Sequence, residues 1–414
     1  MSAPSIPTLA AVFLRSGTDY AIMIYQAVDT APDTGSDRSS RRVGTSFILL
    51  ALFAGLLGGS LALPILQTHP TSGQAFCHGI LMTFFVMCPA ALGGFGQWLL
   101  PAALGTDRTV LRGLTLAGFG FLSAGVVLLP LLPFVAMLLW SAGILAVATD
   151  VITTCLEGRT CRFRDMAPLA WSLLATACSV VLVAPVLAAV VTRGMMDGLT
   201  TDALIETLHL PEMALMLTPA LGLVTSALLS RSARGRASWT VAPYVFGVMG
   251  VGGPLLWMDG LYGSLASGVG ASLMLVTQIV PSVVLIGALC QDVWQQKRDL
   301  DGTALWAIGS ILLFAAGWLS DALPGHSGDH TAVAFGGIMA LCGGFYAWVE
   351  RLLPGRIPSL LSRVHAGLML VGAFCSIVPG VMIYGEILMG VSLLAFGLVG
   401  LFLLRETGRA RVSA

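Results

Sequence analysis

Charge is what this chain has least of. Only 10% of its 414 residues are Asp, Glu, Lys or Arg, against about 25% in an ordinary soluble domain. Lys297 is the single lysine; every other basic residue is an arginine. That scarcity excludes a soluble enzyme and a charge-rich disordered chain. The 21 basic and 21 acidic residues cancel, so no basic excess points to nucleic acid. Cysteine is sparse as well. Cys77, Cys88, Cys155, Cys161, Cys178, Cys290, Cys342 and Cys375 include no CxxC pair, and the chain is not a secreted disulfide scaffold. The cysteines read as small buried fillers. No β-barrel alternation and no short-period repeat is present.

Apolar residues fill the gap. They make up 56% of the chain, and mean hydropathy is +0.89. A bilayer core takes about 20 apolar residues per helix. Twelve stretches qualify: 44–66, 77–101, 111–130, 133–156, 167–192, 210–230, 239–258, 261–290, 303–320, 330–349, 360–384 and 386–404. Many of the 49 glycines and 20 prolines fall mid-span; bundled membrane helices tolerate this because neighbours re-satisfy the freed backbone groups. The expected fold is an all-α polytopic membrane protein, a twelve-helix bundle over residues 44–404.

Residues 1–43 carry Asp19, Asp33, Asp37, Arg38, Arg41 and Arg42 among Pro, Ser and Thr, and read as a flexible cytoplasmic tail. Leu9–Leu14 is too short to span, and no signal-peptide cleavage pattern follows it. A translation start near Met23 is the alternative reading. Residues 405–414 read as a second cytoplasmic tail.

The few charges set an orientation. With the N-terminus in the cytoplasm, every basic residue except Arg193 falls on the inner side of these twelve spans. Membrane proteins keep Lys and Arg on the cytoplasmic side, so the split supports both the span count and two cytoplasmic termini. In that frame His69, His78, His209, His326 and His330 lie near the outer face, and His365 near the inner one. An imidazole beside hydrocarbon needs a hydrogen bond or a metal. His69, His209 and His326 read as interfacial side chains bonded to water, with a divergent metal cluster as the open alternative. His365 reads as a structural hydrogen-bonding residue.

His78 has a different setting. Residues 78–101 read HGILMTFFVMCPAALGGFGQWLLP. His78, Met82, Phe84, Phe85, Pro89, Gly93, Gly94, Phe95, Gly96, Trp98 and Pro101 match H-x3-M-x-F-F-x3-P-x3-G-G-F-G-x-W-x2-P. Here the chain resembles subunit I of the heme–copper oxidases. The resemblance extends to Gly44, Gly58 and Ser60 in the first span, residues 140–157 in the fourth, and Met166, Pro168, Trp171, Ser172, Pro185, Val186 and Leu187 in the fifth. It implies that His78 is an axial ligand of a low-spin heme. Aligned on Gly343, Gly344 and Phe345, it implies His330 as the second axial ligand and Asp321 beside the heme propionates.

The departures are as informative. Gly328 stands where the family carries its high-spin heme ligand. Leu210–Ala214 reads LPEMA where the family has HPEVY, so a copper-ligand His and its Tyr are replaced by Leu210 and Ala214. His209 is one residue off, about 100° around a helix. Trp257–Met258–Asp259–Gly260 lacks the family's adjacent copper-ligand His pair. Leu285 replaces a proton-channel lysine, and the paired propionate arginines have no counterpart. Glu212 and Asp107 match the ends of another proton channel, as relics or as a surviving path.

The expected cofactor is therefore one bis-His low-spin heme, passing single electrons without reducing oxygen; copper is not expected. The expected setting is a respiratory assembly of the bacterial inner membrane, with lipid, companion subunits and an unknown electron donor as partners. Two readings stay open beside it: an active terminal oxidase subunit with a divergent metal centre, and a heme-free transporter or assembly protein reusing the fold.

Overall fold

In a bilayer a helix satisfies every backbone N–H and C=O within its own segment, so apolar runs of this length fold as helices. A computed structural model describes residues 37–62, 72–198, 200–229, 236–262, 273–296, 302–321, 331–355, 358–378 and 380–412. Side chains at 72, 201–214, 259–262, 296, 321 and 404–412 lie outside the description. Among the described residues there are twelve principal helices. They are α1 (Arg38–Leu61), α2 (Gly73–Leu104), α3 (Arg112–Leu128), α4 (Pro133–Gly158), α5 (Pro168–Asp197) and α6 (Thr201–Leu228). The second half comprises α7 (Ala237–Tyr262), α8 (Leu275–Gln295), α9 (Gly302–Asp321), α10 (Thr331–Leu352), α11 (Ser359–Ile377) and α12 (Met382–Val412). Ten are long and apolar enough to cross a membrane; Arg112–Leu128 and Leu215–Leu228 are shorter apolar helices.

Each expected span has its helix, but several bounds differ: α6 opens at Thr201 rather than 210, α8 at Leu275 rather than 261, and α11 closes at Ile377 rather than 384. The two ends of the bundle differ as well. α1 begins at Arg38, before residue 44, because Asp37 caps it: its carboxylate accepts the Ser40 N–H at 2.7 Å. α12 runs on to Val412, beyond residue 404. Prolines open α4 and α5 at a position where a missing N–H is harmless.

α2 is the central strut. It touches α1, α3, α4, α5, α6 and α10. Its middle is not a regular α-helix: Leu81–Met87 and Pro89–Phe95 are π-helical, on either side of Cys88. Pro89 has no N–H to return to the preceding turn, and π turns of this kind recur at functional sites. α1 packs closely against this stretch, with large side chains of one helix seated on glycines of the other. A Cβ on Gly93 would sit 2.2 Å from the Phe47 ring, and one on Gly44 2.6 Å from Trp98. Buried indoles pin other helices: Trp140 donates to the Phe84 carbonyl at 2.6 Å, Trp98 to the Thr45 hydroxyl at 3.2 Å, and Trp306 to the Ser362 hydroxyl at 3.1 Å. α11 pairs with α12, and α12 leans back on α1.

Candidate functional site: an apolar cavity with a held histidine

A cavity of about 300 Å³ opens between α1, α2, α10, α11 and α12. Its walls are mostly apolar. α10 contributes Ala334, Phe335, Ile338, Leu341, Cys342 and Phe345, a stripe at three- and four-residue spacing. α1 contributes small residues, Ala51, Gly55, Gly59 and Ala62, which keep that wall flat. A Cβ on Gly59 would lie 3.2 Å from Leu393 of α12, so a larger residue there would displace the facing wall.

His78 lines this cavity from the beginning of α2. Its Nδ1 lies 2.8 Å from the carbonyl oxygen of Gly58 in α1. A carbonyl only accepts, so Nδ1 carries the proton and donates. In the neutral tautomer this leaves the lone pair on Nε2. That is the state a metal-ligating histidine needs, with the other nitrogen held by a backbone acceptor.

His365 lines the same cavity from α11 and is 2% exposed. Its Nδ1 is 2.9 Å from the Tyr346 hydroxyl, and its ring meets Trp306 edge-on at 4.9 Å. Tyr346 stacks on the same indole at 5.4 Å. His365 thus makes the structural hydrogen bond expected of it, on a ring cluster tying α9, α10 and α11.

A second polar cluster lies where α1 begins, among the connections of α2, α3 and α4. Asp150 of α4 is fully buried. Its Oδ1 accepts the Leu111 N–H at 2.6 Å and the Thr154 hydroxyl at 3.3 Å. Its Oδ2 accepts the Thr115 hydroxyl at 2.5 Å and the Gln97 amide at 3.0 Å. Gln97 in turn accepts from Thr109 at 3.1 Å. Leu111 precedes α3 and has no side-chain cap of its own; Asp150 supplies that cap from another helix, as an anion at the positive end of the dipole.

The remaining expected site residues are placed as follows. Asp107 is exposed in the α2–α3 connection, where its carbonyl accepts the Asp37 N–H at 2.7 Å. Glu212 and His209 belong to α6, in the portion whose side chains are outside the description, and Asp321 ends α9 in the same condition. His69, His326, Gly328 and His330 lie outside the described residues. Leu285 is buried in the core. Among the described residues no three His, Cys, Asp or Glu side chains are grouped to hold a metal ion. Cys88 and Cys155 are buried, five other cysteines are partly buried or packed in spans, and Cys290 is exposed. The sequence reading missed the Gly58 acceptor and the Asp150 cluster.

The sequence model of the family described as cytochrome c and quinol oxidase polypeptide I matches residues 42–320. The chain belongs to this family. It is similar to cytochrome c oxidase subunit 1 of Yarrowia lipolytica, 24% identical over 421 residues, 82% of this chain and 78% of that one. It is also similar to cytochrome c oxidase subunit 1 of Cereibacter sphaeroides, 25% identical over 370 residues, 73% of this chain and 65% of that one. The chain therefore spans a little under two thirds of this second relative. Polypeptide I proteins of this family are multi-pass membrane proteins that bind heme and take part in electron transfer within respiratory complexes.

The cavity suits such a group. It is lined by small residues on α1, is aromatic on α2, α10 and α12 through Phe95, Phe335 and Phe396, and presents an imidazole held through Nδ1, which leaves Nε2 outside that bond. These are the features a planar iron macrocycle requires.

Proposed function

We propose that the chain is an electron-transfer subunit holding one low-spin heme between His78 and His330, without oxygen reduction of its own. The observation that carries this reading is His78, fixed through Nδ1 to the Gly58 carbonyl, on the wall of an apolar cavity. The partner, His330, rests on the sequence alignment through Gly343, Gly344 and Phe345.

A heme ligated on both sides supplies one-electron transfer and offers no open position for oxygen. The protein's part is to supply neutral imidazoles, to exclude water with an apolar wall, and to fix the ring of His78 through α1. Gly328, Leu210, Ala214 and the stretch 257–260 supply no imidazole at the matching ligand positions, which argues against a copper centre. Asp321 belongs beside the propionates in this reading, and Glu212 with Asp107 are remnants of a proton path. We place the protein in the bacterial inner membrane with both termini cytoplasmic, on the arginine distribution, among companion subunits of a respiratory complex.

The test is a reduced-minus-oxidised spectrum of the purified protein, with heme and copper counted per chain. One low-spin heme, no copper and no carbon monoxide shift is the expected result, and His78→Ala should abolish the heme signal while helix content stays. Two hemes with copper would establish an active oxidase instead. A heme-free protein would leave a transporter or assembly role.

A further inference from the structure

Glu386 lies in the first turns of α12 and lines the same cavity as His78. Among the described lining residues it is the single carboxylate, and neither arginine nor lysine is present there. Its neighbour fixes its place. A Cβ on Gly385 would be 2.4 Å from the backbone N and the hydroxyl of Ser376, so α11 and α12 meet there with nothing between them. Ser376, whose hydroxyl is held by the Gly372 carbonyl at 2.9 Å, is itself part of the wall. On the other side, Leu393 of α12 abuts Gly59 of α1, one residue from the carbonyl that holds His78. Glu386 is seven residues before Leu393, about 10 Å along the helix. It therefore marks the mouth of the cavity at the end where α1 stops and α2 starts.

We propose that Glu386 sets the reduction potential of the heme at His78, holding it low. The proposal rests on the heme reading given above. Reduction adds one electron and lowers the charge at the iron by one unit. A carboxylate in the cavity wall favours the more positive, oxidised form, and no cation among the described lining residues offsets it. Glu386 is exposed, so part of its field is screened, and the effect weakens as salt rises.

The test is an equilibrium redox titration of the heme-loaded protein, followed by its absorbance, in the wild type, Glu386→Gln, Glu386→Asp and Glu386→Lys. The midpoint should rise in the Gln variant, rise further in the Lys variant and stay near the wild-type value in the Asp variant. The Gln-to-wild-type gap should narrow in high salt. Equal midpoints in all four proteins at unchanged heme content would overturn the proposal. So would loss of heme in Gln with retention in Asp, because the carboxylate would then serve binding. A wild-type protein that holds no heme would sink the functional reading itself, a result seen before any variant is titrated.

Discussion

The Asp150 cluster allows the number of acceptors to be separated from the charge. Asp150→Ala removes both oxygens and strands four donors in a buried site. Thr154 and Thr115 can turn their hydroxyls toward carbonyls of their own helices, as Thr149 and Thr153 already do. The Leu111 N–H has no such escape. Stranding it costs about 1–3 kcal/mol, and the lost anion about 1 kcal/mol more, so the Ala variant should lose roughly 2–4 kcal/mol. Asp150→Asn should behave differently. Its Oδ1 still accepts from Leu111. Its new amide can donate to the Thr115 oxygen, and to Gln97 once that side chain flips and donates to Thr109 in turn. Only the anion at the start of α3 is lost, about 1 kcal/mol. The assay is unfolding of the purified protein in detergent micelles, followed by circular dichroism. If Asn is as damaging as Ala, the charge dominates and the acceptor argument is wrong. If Ala is nearly neutral, the donors find other partners and the cluster is not a clamp.

Gly55→Leu should leave the fold intact and abolish heme binding in the absorbance spectrum: a Cβ there meets only Val86, at 3.7 Å, and the rest of the side chain must enter the cavity. Tyr346→Phe should lower stability by about 1–3 kcal/mol in the same unfolding assay, by leaving Nδ1 of buried His365 without its partner. At Asp37, burial raises the carboxyl pKa, but the bonds from Ser40 and Ser39 and the charge of Arg112 outweigh it and hold the group below its ordinary value. Its contribution is therefore present above the unfolded carboxylate pKa and lost as pH falls through the folded one. Asp37→Ala should cost about 1 kcal/mol at neutral pH, a deficit that closes in acid.

The spans were legible because hydropathy is a sum over many residues and survives local exceptions such as Pro185 inside α5. The end of α1 was not, because Asp37–Ser40 is polar and reads as tail until its cap is seen. The π-helical middle of α2 was hidden as well: a 3.6-residue template has no place for it, although Pro89 was a hint. His78 stood out through its motif, while its holder, the carbonyl of Gly58, has no side chain to signal it. Asp150 carried a signal that went unused. A carboxylate inside WSAGILAVATDVITTCLE demands a partner. Its donors come from residues 97, 111, 115 and 154, which only the fold brings together.

In the proposed reading, the heme cavity and the positions matching copper ligands draw on different helices, so one can change while the other stays. The cavity at His78 is walled by α1, α2, α10, α11 and α12. The positions matching copper ligands, Leu210 and residues 257–260, belong to α6 and α7, and among the described residues neither helix contributes to that wall. Leu210→Ala should therefore leave the heme content, spectrum and midpoint of the purified protein unchanged, whereas Gly55→Leu, on the wall itself, should erase all three. A change in the heme spectrum on Leu210→Ala of the same size as that from a wall substitution would show that the two regions are coupled. The proposed loss of oxygen chemistry could not then be treated as independent of the proposed heme site.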